Sequence, residues 1–127
     1  MASQPSPSVQ PRRVEKPWGH EVIWAHTGRY TGKLLCIRAG HALSYQFHRI
    51  KEETIYVLSG TLLLHWSDDD SNPSVDEYGP GTCFHVRTGM RHRFEAKDDV
   101  VLLEASTPEL DDVVRLEDAY GREEPRP

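Results

Sequence analysis

Turn residues punctuate this chain at short, regular intervals, and that spacing is what most constrains its fold. The β-rich runs KLLCIR, TIYVL, TLLLHW, CFHV, HRFEA and VVLLEAS are separated by clusters such as TGRYTG, SDDDSNPS and GPG. A helix with a buried face needs apolar positions three and four apart over several turns, and no long period of that kind interrupts the series. Many short strands at such spacing predict an all-β sandwich or barrel. A length of 127 residues supplies one buried core and not two, so a single domain is expected.

The ends read differently. Residues 1–13, MASQPSPSVQPRR, are too rich in Ser, Pro and Gln to bury apolar surface and are expected to be a flexible tail. The domain is expected over 14–122, with a flexible C-terminus at 123–127. TPELDDVVRLEDAYGR carries a helix-start pattern at Thr107-Pro108, and the spacing of Leu110, Val113 and Val114 predicts one short helical turn or arm. The acidic triplet Asp68–Asp70 reads as a solvated hairpin loop. No apolar run resembles a secretory signal or reaches bilayer-spanning length, so a soluble, cytoplasmic protein with no membrane partner is expected. A net charge of −5 argues against nucleic acid as a partner. Cys36 and Cys83 lie in apolar stretches and are expected as small buried thiols.

The stretch LSYQFHRIKEETIYVLSG, Leu43 to Gly60, places polar side chains inside an apolar pattern. Strand alternation puts Ser44, Gln46 and His48 on one face and Leu43, Tyr45 and Phe47 on the other. If RIKE is a hairpin turn, the returning strand brings Glu53, Ile55 and Val57 to a common face, with Glu53 opposite Gln46 and His48. A carboxylate taken out of water needs a compensating partner, and a divalent cation is the strongest one available. GTCFHVRTGMRHRF then supplies a strand, a tight turn and a second strand whose first inward residues are His92 and Phe94.

From Gly40 to Gly60 the chain resembles the first cupin signature, G-x5-[HQ]-x-H-x4-E-x6-G, with Gln46 where a first histidine is commoner. Gly81, Gly89 and His92 match the second signature, whereas Arg87 stands where that family usually has Pro and Ala96 where it usually has Asn. More narrowly, KPWG, LSYQFH, YVLSG and LDDVVRLEDAYGR resemble the C-terminal isomerase domain of type II phosphomannose isomerases, over roughly residues 16–122. The guanylyltransferase domain that normally precedes it is absent from this sequence. The resemblance implies a double-stranded β-helix (jelly-roll) barrel and one divalent metal held by Gln46, His48, Glu53 and His92. An amide oxygen, two imidazoles and a carboxylate suit Mn, Fe, Co, Ni or Zn without discriminating among them.

The implied activity is aldose–ketose isomerisation of a phosphosugar such as mannose 6-phosphate, which needs a proton carrier and a cation near the developing oxyanion. Lys51, Tyr45 and Arg93 are the candidate catalytic residues, and Arg87, Arg91 and Glu95 the candidate substrate-binding residues. Arg91, Arg93 and Lys51 offer charge-assisted bonds to a phosphate, and Tyr45, Glu95 and Lys51 are candidate bases. His20, His26, His41, His65 and His85 lack ligand spacing. Two other functions stay open: a metal-dependent dioxygenase, and a non-catalytic module that binds a sugar or small metabolite. A homodimer is expected, with KPWGHEVIW as the segment exchanged and Trp18 and Trp24 as its anchors, or else as covers for the chain's own barrel end.

Overall fold

A computed structural model of the protein describes residues 4–122. Within them the chain forms eleven strands and no helix. They are β1 (Arg12–Lys16), β2 (Gly19–His26), β3 (Thr31–Ile37), β4 (Tyr45–Phe47), β5 (Glu53–Ser59) and β6 (Leu62–Ser67). β7 (Ser74–Tyr78), β8 (Cys83–Val86), β9 (Arg91–Ala96), β10 (Val100–Ser106) and β11 (Val114–Glu117) follow. Two antiparallel sheets face each other, one ordered β1-β2-β3-β10-β5-β8 and the other β11-β4-β9-β6-β7.

Period-two alternation fills the space between them. In β5, Glu53, Ile55 and Val57 point inward while Thr54, Tyr56 and Leu58 face out; in β9, His92, Phe94 and Ala96 point inward between Arg91, Arg93 and Glu95. Ile37, Ile55, Val57, Leu62, Val86, Phe94, Val100 and Leu102 make the centre of the core. Each such side chain contributes about 1.5–3 kcal/mol by leaving water. Gly60 makes the β5–β6 turn with φ +80°, and a Cβ there would stand 2.1 Å from the Asp99 carbonyl oxygen, so the turn requires glycine.

Several sequence expectations are corrected here. β4 and β5 are not two arms of a hairpin. β4 pairs with β9 and β11, β5 pairs with β10 and β8, and residues 48–52 cross from one sheet to the other. Local alternation cannot tell a turn from a crossover, because the partners of a three-residue strand lie far along the chain. The helical turn expected near Thr107 does not form. Val114 and its neighbours extend β4 as a strand, since a ladder against an unpaired edge outweighs a weak local helix preference. β1 takes in Arg12 and Arg13, both assigned to the tail from sequence, by pairing with Ile23 and Val22. The expected C-terminal tail at 123–127 lies outside the described residues.

Cys36 is half-buried and Cys83 exposed, and both are free thiols. The two tryptophans part company. Trp18 is 3% exposed in the core, whereas Trp24 is 48% exposed on the outer face, lying over Gly32.

Candidate metal centre

Two crossings between the sheets meet at one end of the sandwich and carry His48, Glu53 and His92. His48 begins the 48–52 crossing, Glu53 ends it, and His92 follows the Gly89 turn that joins β8 to β9. Gln46 stands directly opposite His92 in the β4–β9 register. The Nε2 atoms of His48 and His92 approach the same Glu53 oxygen, Oε1, at 4.0 and 3.7 Å. All three residues are 3% exposed or less, and their ligating atoms lie within 4.8 Å of one another.

The hydrogen bonding decides what this cluster fits. Both Nε2 atoms are buried with no hydrogen-bond partner, a costly state for an isolated imidazole. Both Nδ1 atoms donate to backbone carbonyls, His48 to Asp112 and His92 to Met90. Those bonds fix the tautomer and leave each Nε2 lone pair aimed at one point beside Glu53 Oε1, the arrangement metal-binding histidines need. The Gln46 carbonyl oxygen accepts from Ser44 Oγ at 2.6 Å and keeps a second lone pair. Two imidazoles and one carboxylate converging in this way fit a divalent metal.

The other Glu53 oxygen faces Lys51, whose Nζ lies 2.9 Å from Glu53 Oε2 and 3.1 Å from Glu104 Oε2. Burial pushes the Lys51 amine down, but the two carboxylates outweigh it and hold the ammonium above the usual lysine range. Burial likewise pushes Glu53 up, and Lys51 together with His48 brings it below the usual carboxylate range. Glu104 is raised, first by burial and then by Glu53. His92 is pushed down to about 3, first by burial and then by His48, so it is neutral and able to ligate at ordinary pH. Lys33 and Glu21, 3.3 Å apart, continue the buried charges along the same wall, with Lys33 opposite Glu104 in register.

Residues 33–105 match the cupin domain family. The chain is a cupin. Among curated proteins it is 33% identical over 116 residues to mannose-1-phosphate guanylyltransferase ManC of Salmonella typhimurium, a match covering 87% of this chain and 23% of that one. It therefore spans about a quarter of the length of that relative. Among solved structures, capsular polysaccharide assembling protein CapF of Staphylococcus aureus superposes with a TM-score of 0.72 at 18% identity, over 87% of this chain and 33% of CapF. Bacillus subtilis oxalate decarboxylase, whose Mn(II) centres have been characterised, superposes with a TM-score of 0.70 at 20% identity, over 82% of this chain and 29% of that one. At those identities the structural likenesses establish the jelly-roll fold.

In this cupin the cluster opens into a cavity of about 610 Å³, its open mouth included. Of the expected site residues, Gln46, His48, Glu53 and Lys51 line it, and His92 closes its inner end against Glu53. The rest lie elsewhere. Arg91, Arg93 and Glu95 alternate with inward-facing His92 and Phe94, and Tyr45 alternates with Gln46, so all four occupy the outer face of the second sheet. Their partners are there too. The Arg91 guanidinium sits 4.2 Å over the Phe47 ring and pairs with Asp70, Arg93 donates to the carbonyls of Leu43 and Glu117, and Glu95 pairs with His65. Arg87 pairs with Asp68 at the surface, so the acidic loop read as merely solvated holds two of the arginines.

The cavity's other charged groups were not singled out from sequence: Glu21, Lys33, Glu104 and Lys16 from the first sheet, and Asp112, Arg115 and Arg122 from the C-terminal segment. For the first three a signal existed. Glu21 precedes Ile23, Lys33 precedes Leu35 and Ile37, and Glu104 follows Val100 and Leu102, each a charge in phase with an apolar inward face. The C-terminal residues had no comparable signal, because their placement depends on β11 pairing with β4, where Arg115 stands opposite Gln46.

Proposed function

We propose that this cupin is a metal-dependent aldose–ketose isomerase of a phosphosugar, with mannose 6-phosphate as the nearest substrate by likeness to ManC. The observation that carries the reading is the pair of orphaned histidine nitrogens facing Glu53 at the inner end of a cavity whose C-terminal wall presents arginines. Gln46, His48, Glu53 and His92 would hold a divalent ion, one of Mn, Fe, Co, Ni or Zn. When bound, that ion supplies Lewis-acid stabilisation of oxygen charge as a proton moves between adjacent carbons.

The chain's own residues divide the remaining work. Arg115, whose buried Nε has no partner, and Arg122, held by Asp118, would anchor the phosphate by charge-assisted bonds. Lys51 is spoken for by two carboxylates, so it orders Glu53 and does not act as base. Glu104 is the cavity carboxylate nearest the ligand set without belonging to it, and proton transfer falls to it in this reading. Trp18, Leu35 and Phe94 wall off water beneath the substrate.

Purified protein loaded in turn with each metal should interconvert mannose 6-phosphate and fructose 6-phosphate in a coupled assay. Absence of turnover with every hexose and pentose phosphate tried, across all five metals, sinks the proposal. Oxygen uptake by the iron form would point to a dioxygenase, and a ligand-induced melting shift without turnover to a binding module. In the same reading the protein works in the cytoplasm, since a charged phosphosugar does not cross a bilayer unaided. It would pair as a homodimer through the outer face of the first sheet, where Trp24, Tyr56 and Leu58 are exposed, and sedimentation velocity reads that directly.

A further inference from the structure

Asp112 belongs to the segment that leaves β10 in the first sheet and crosses to β11 in the second, alongside the 48–52 crossing that bears His48 and Lys51. Its carboxylate and its main-chain carbonyl are both committed to that neighbour. The side-chain carboxylate accepts three successive backbone N–H groups, those of Arg49 at 3.2 Å, Ile50 at 2.7 Å and Lys51 at 2.8 Å. Its main-chain carbonyl accepts the Nδ1–H of His48. Thr107 ties the base of the two crossings together, exchanging hydrogen bonds with Glu52 at 3.1 Å in each direction.

We propose that Asp112 is a positioning residue for the metal centre: it touches no ligating atom, yet fixes two ligands, His48 through its carbonyl and Glu53 through the capped turn that delivers Lys51. The inference rests on the metal-binding reading and extends it to the C-terminal segment. A carboxylate that gathers three N–H groups holds residues 49–51 in one conformation, because three charge-assisted bonds converge on one side chain and the Lys51 donor among them is part-buried. That conformation sets where the Lys51 ammonium meets Glu53 Oε2, and so which Glu53 oxygen is left for the two histidines. The carbonyl bond does the same for His48, holding the proton on Nδ1 and the lone pair on Nε2. Arg115 follows three residues later on the same segment, so a ligand that holds this segment down also tightens its grip on His48.

The test compares Asp112→Ala and Asp112→Asn with Asp111→Asn, whose exposed neighbouring carboxylate is the control. Metal affinity is read by competition of Zn²⁺ and Co²⁺ against a chromophoric chelator, and the His48 ring by long-range ¹H–¹⁵N correlation in the metal-free protein. Asp112→Ala should bind metal about 10–100-fold more weakly, the usual cost of losing an outer support of a metal ligand, while Asp111→Asn binds as the wild type does. The Nε2–H tautomer of His48 should become populated in Asp112→Ala and stay absent in the wild type. A mere turn-capping role would lower the melting temperature and leave both readouts unchanged, and that result on folded Asp112→Ala overturns the proposal. Should the alanine variant not fold, Asp112→Asn, which keeps the shape and one acceptor oxygen, is judged by the same two readouts. Should the wild type take up no metal, the metal reading fails, and the tautomer comparison alone still decides whether the Asp112 carboxylate holds in place the segment whose carbonyl orients His48.

Discussion

Replacing Lys51 with methionine keeps the length of a buried side chain and removes its charge. In the native protein the ammonium lies 2.9 Å from one carboxylate and 3.1 Å from another, and the three side chains are 8%, 2% and 4% exposed. Without it Glu53 and Glu104 face each other with no cation and almost no water. Removing one partner of a buried ion pair costs about 3–5 kcal/mol, since the charge left behind has lost its compensation. For a domain of this size about 1 kcal/mol shifts the melting temperature by roughly 4 °C, so the metal-free variant should melt about 12–20 °C lower. Two additions identify the cause. Glu104→Gln on top of Lys51→Met should recover more than half of the loss, because the repulsion disappears with the second charge. A divalent metal at about a hundred times its dissociation constant should return about 2.7 kcal/mol by mass action. Calorimetry of the four forms reads all of this. A metal-free Lys51→Met that melts within about 4 °C of the wild type, a change of only about 1 kcal/mol, would show that these charges are not apposed as described.

His92 gives a pH dependence of known sign. Its pKa falls from 6.5 to about 3 on folding, so the unfolded chain binds the extra proton between those values, and metal-free stability should be full above about pH 6.5 and decline steadily toward pH 3, read as urea midpoints. His48→Ala and His92→Ala should each purify without metal under conditions where the wild type retains about one equivalent, as elemental analysis reports. Gly60→Ala should lose about 1–3 kcal/mol in a denaturant titration, from the positive φ and the Asp99 carbonyl oxygen beside it. Arg115→Met should raise KM for a phosphorylated substrate well above its effect on kcat, because it removes binding and not chemistry.

The sequence alone determined the strand alternation, and with it which side chains could ligate together. Glu53 and His92 were legible because a polar side chain in phase with Ile55 and Val57, or with Phe94, must lie between the sheets whatever the topology, whereas Gln46 and His48 share a strand face opposite Leu43, Tyr45 and Phe47 and were legible through the resemblance to the cupin signature. The same phase places Arg91, Arg93 and Glu95 on the outer face of β9, opposite His92 and Phe94. Glu21, Lys33 and Glu104 were readable in the same way, as charges on inward apolar faces. Tertiary structure alone decided the rest: that β4 joins β9 and β11 and not β5, that the C-terminal segment becomes a strand, and that Asp112, Arg115 and Arg122 therefore reach the cavity. Alternation is a local property of the backbone, written every two residues. Pairing between distant strands is chosen by the free energy of the whole packed sandwich, and no short window of residues contains it.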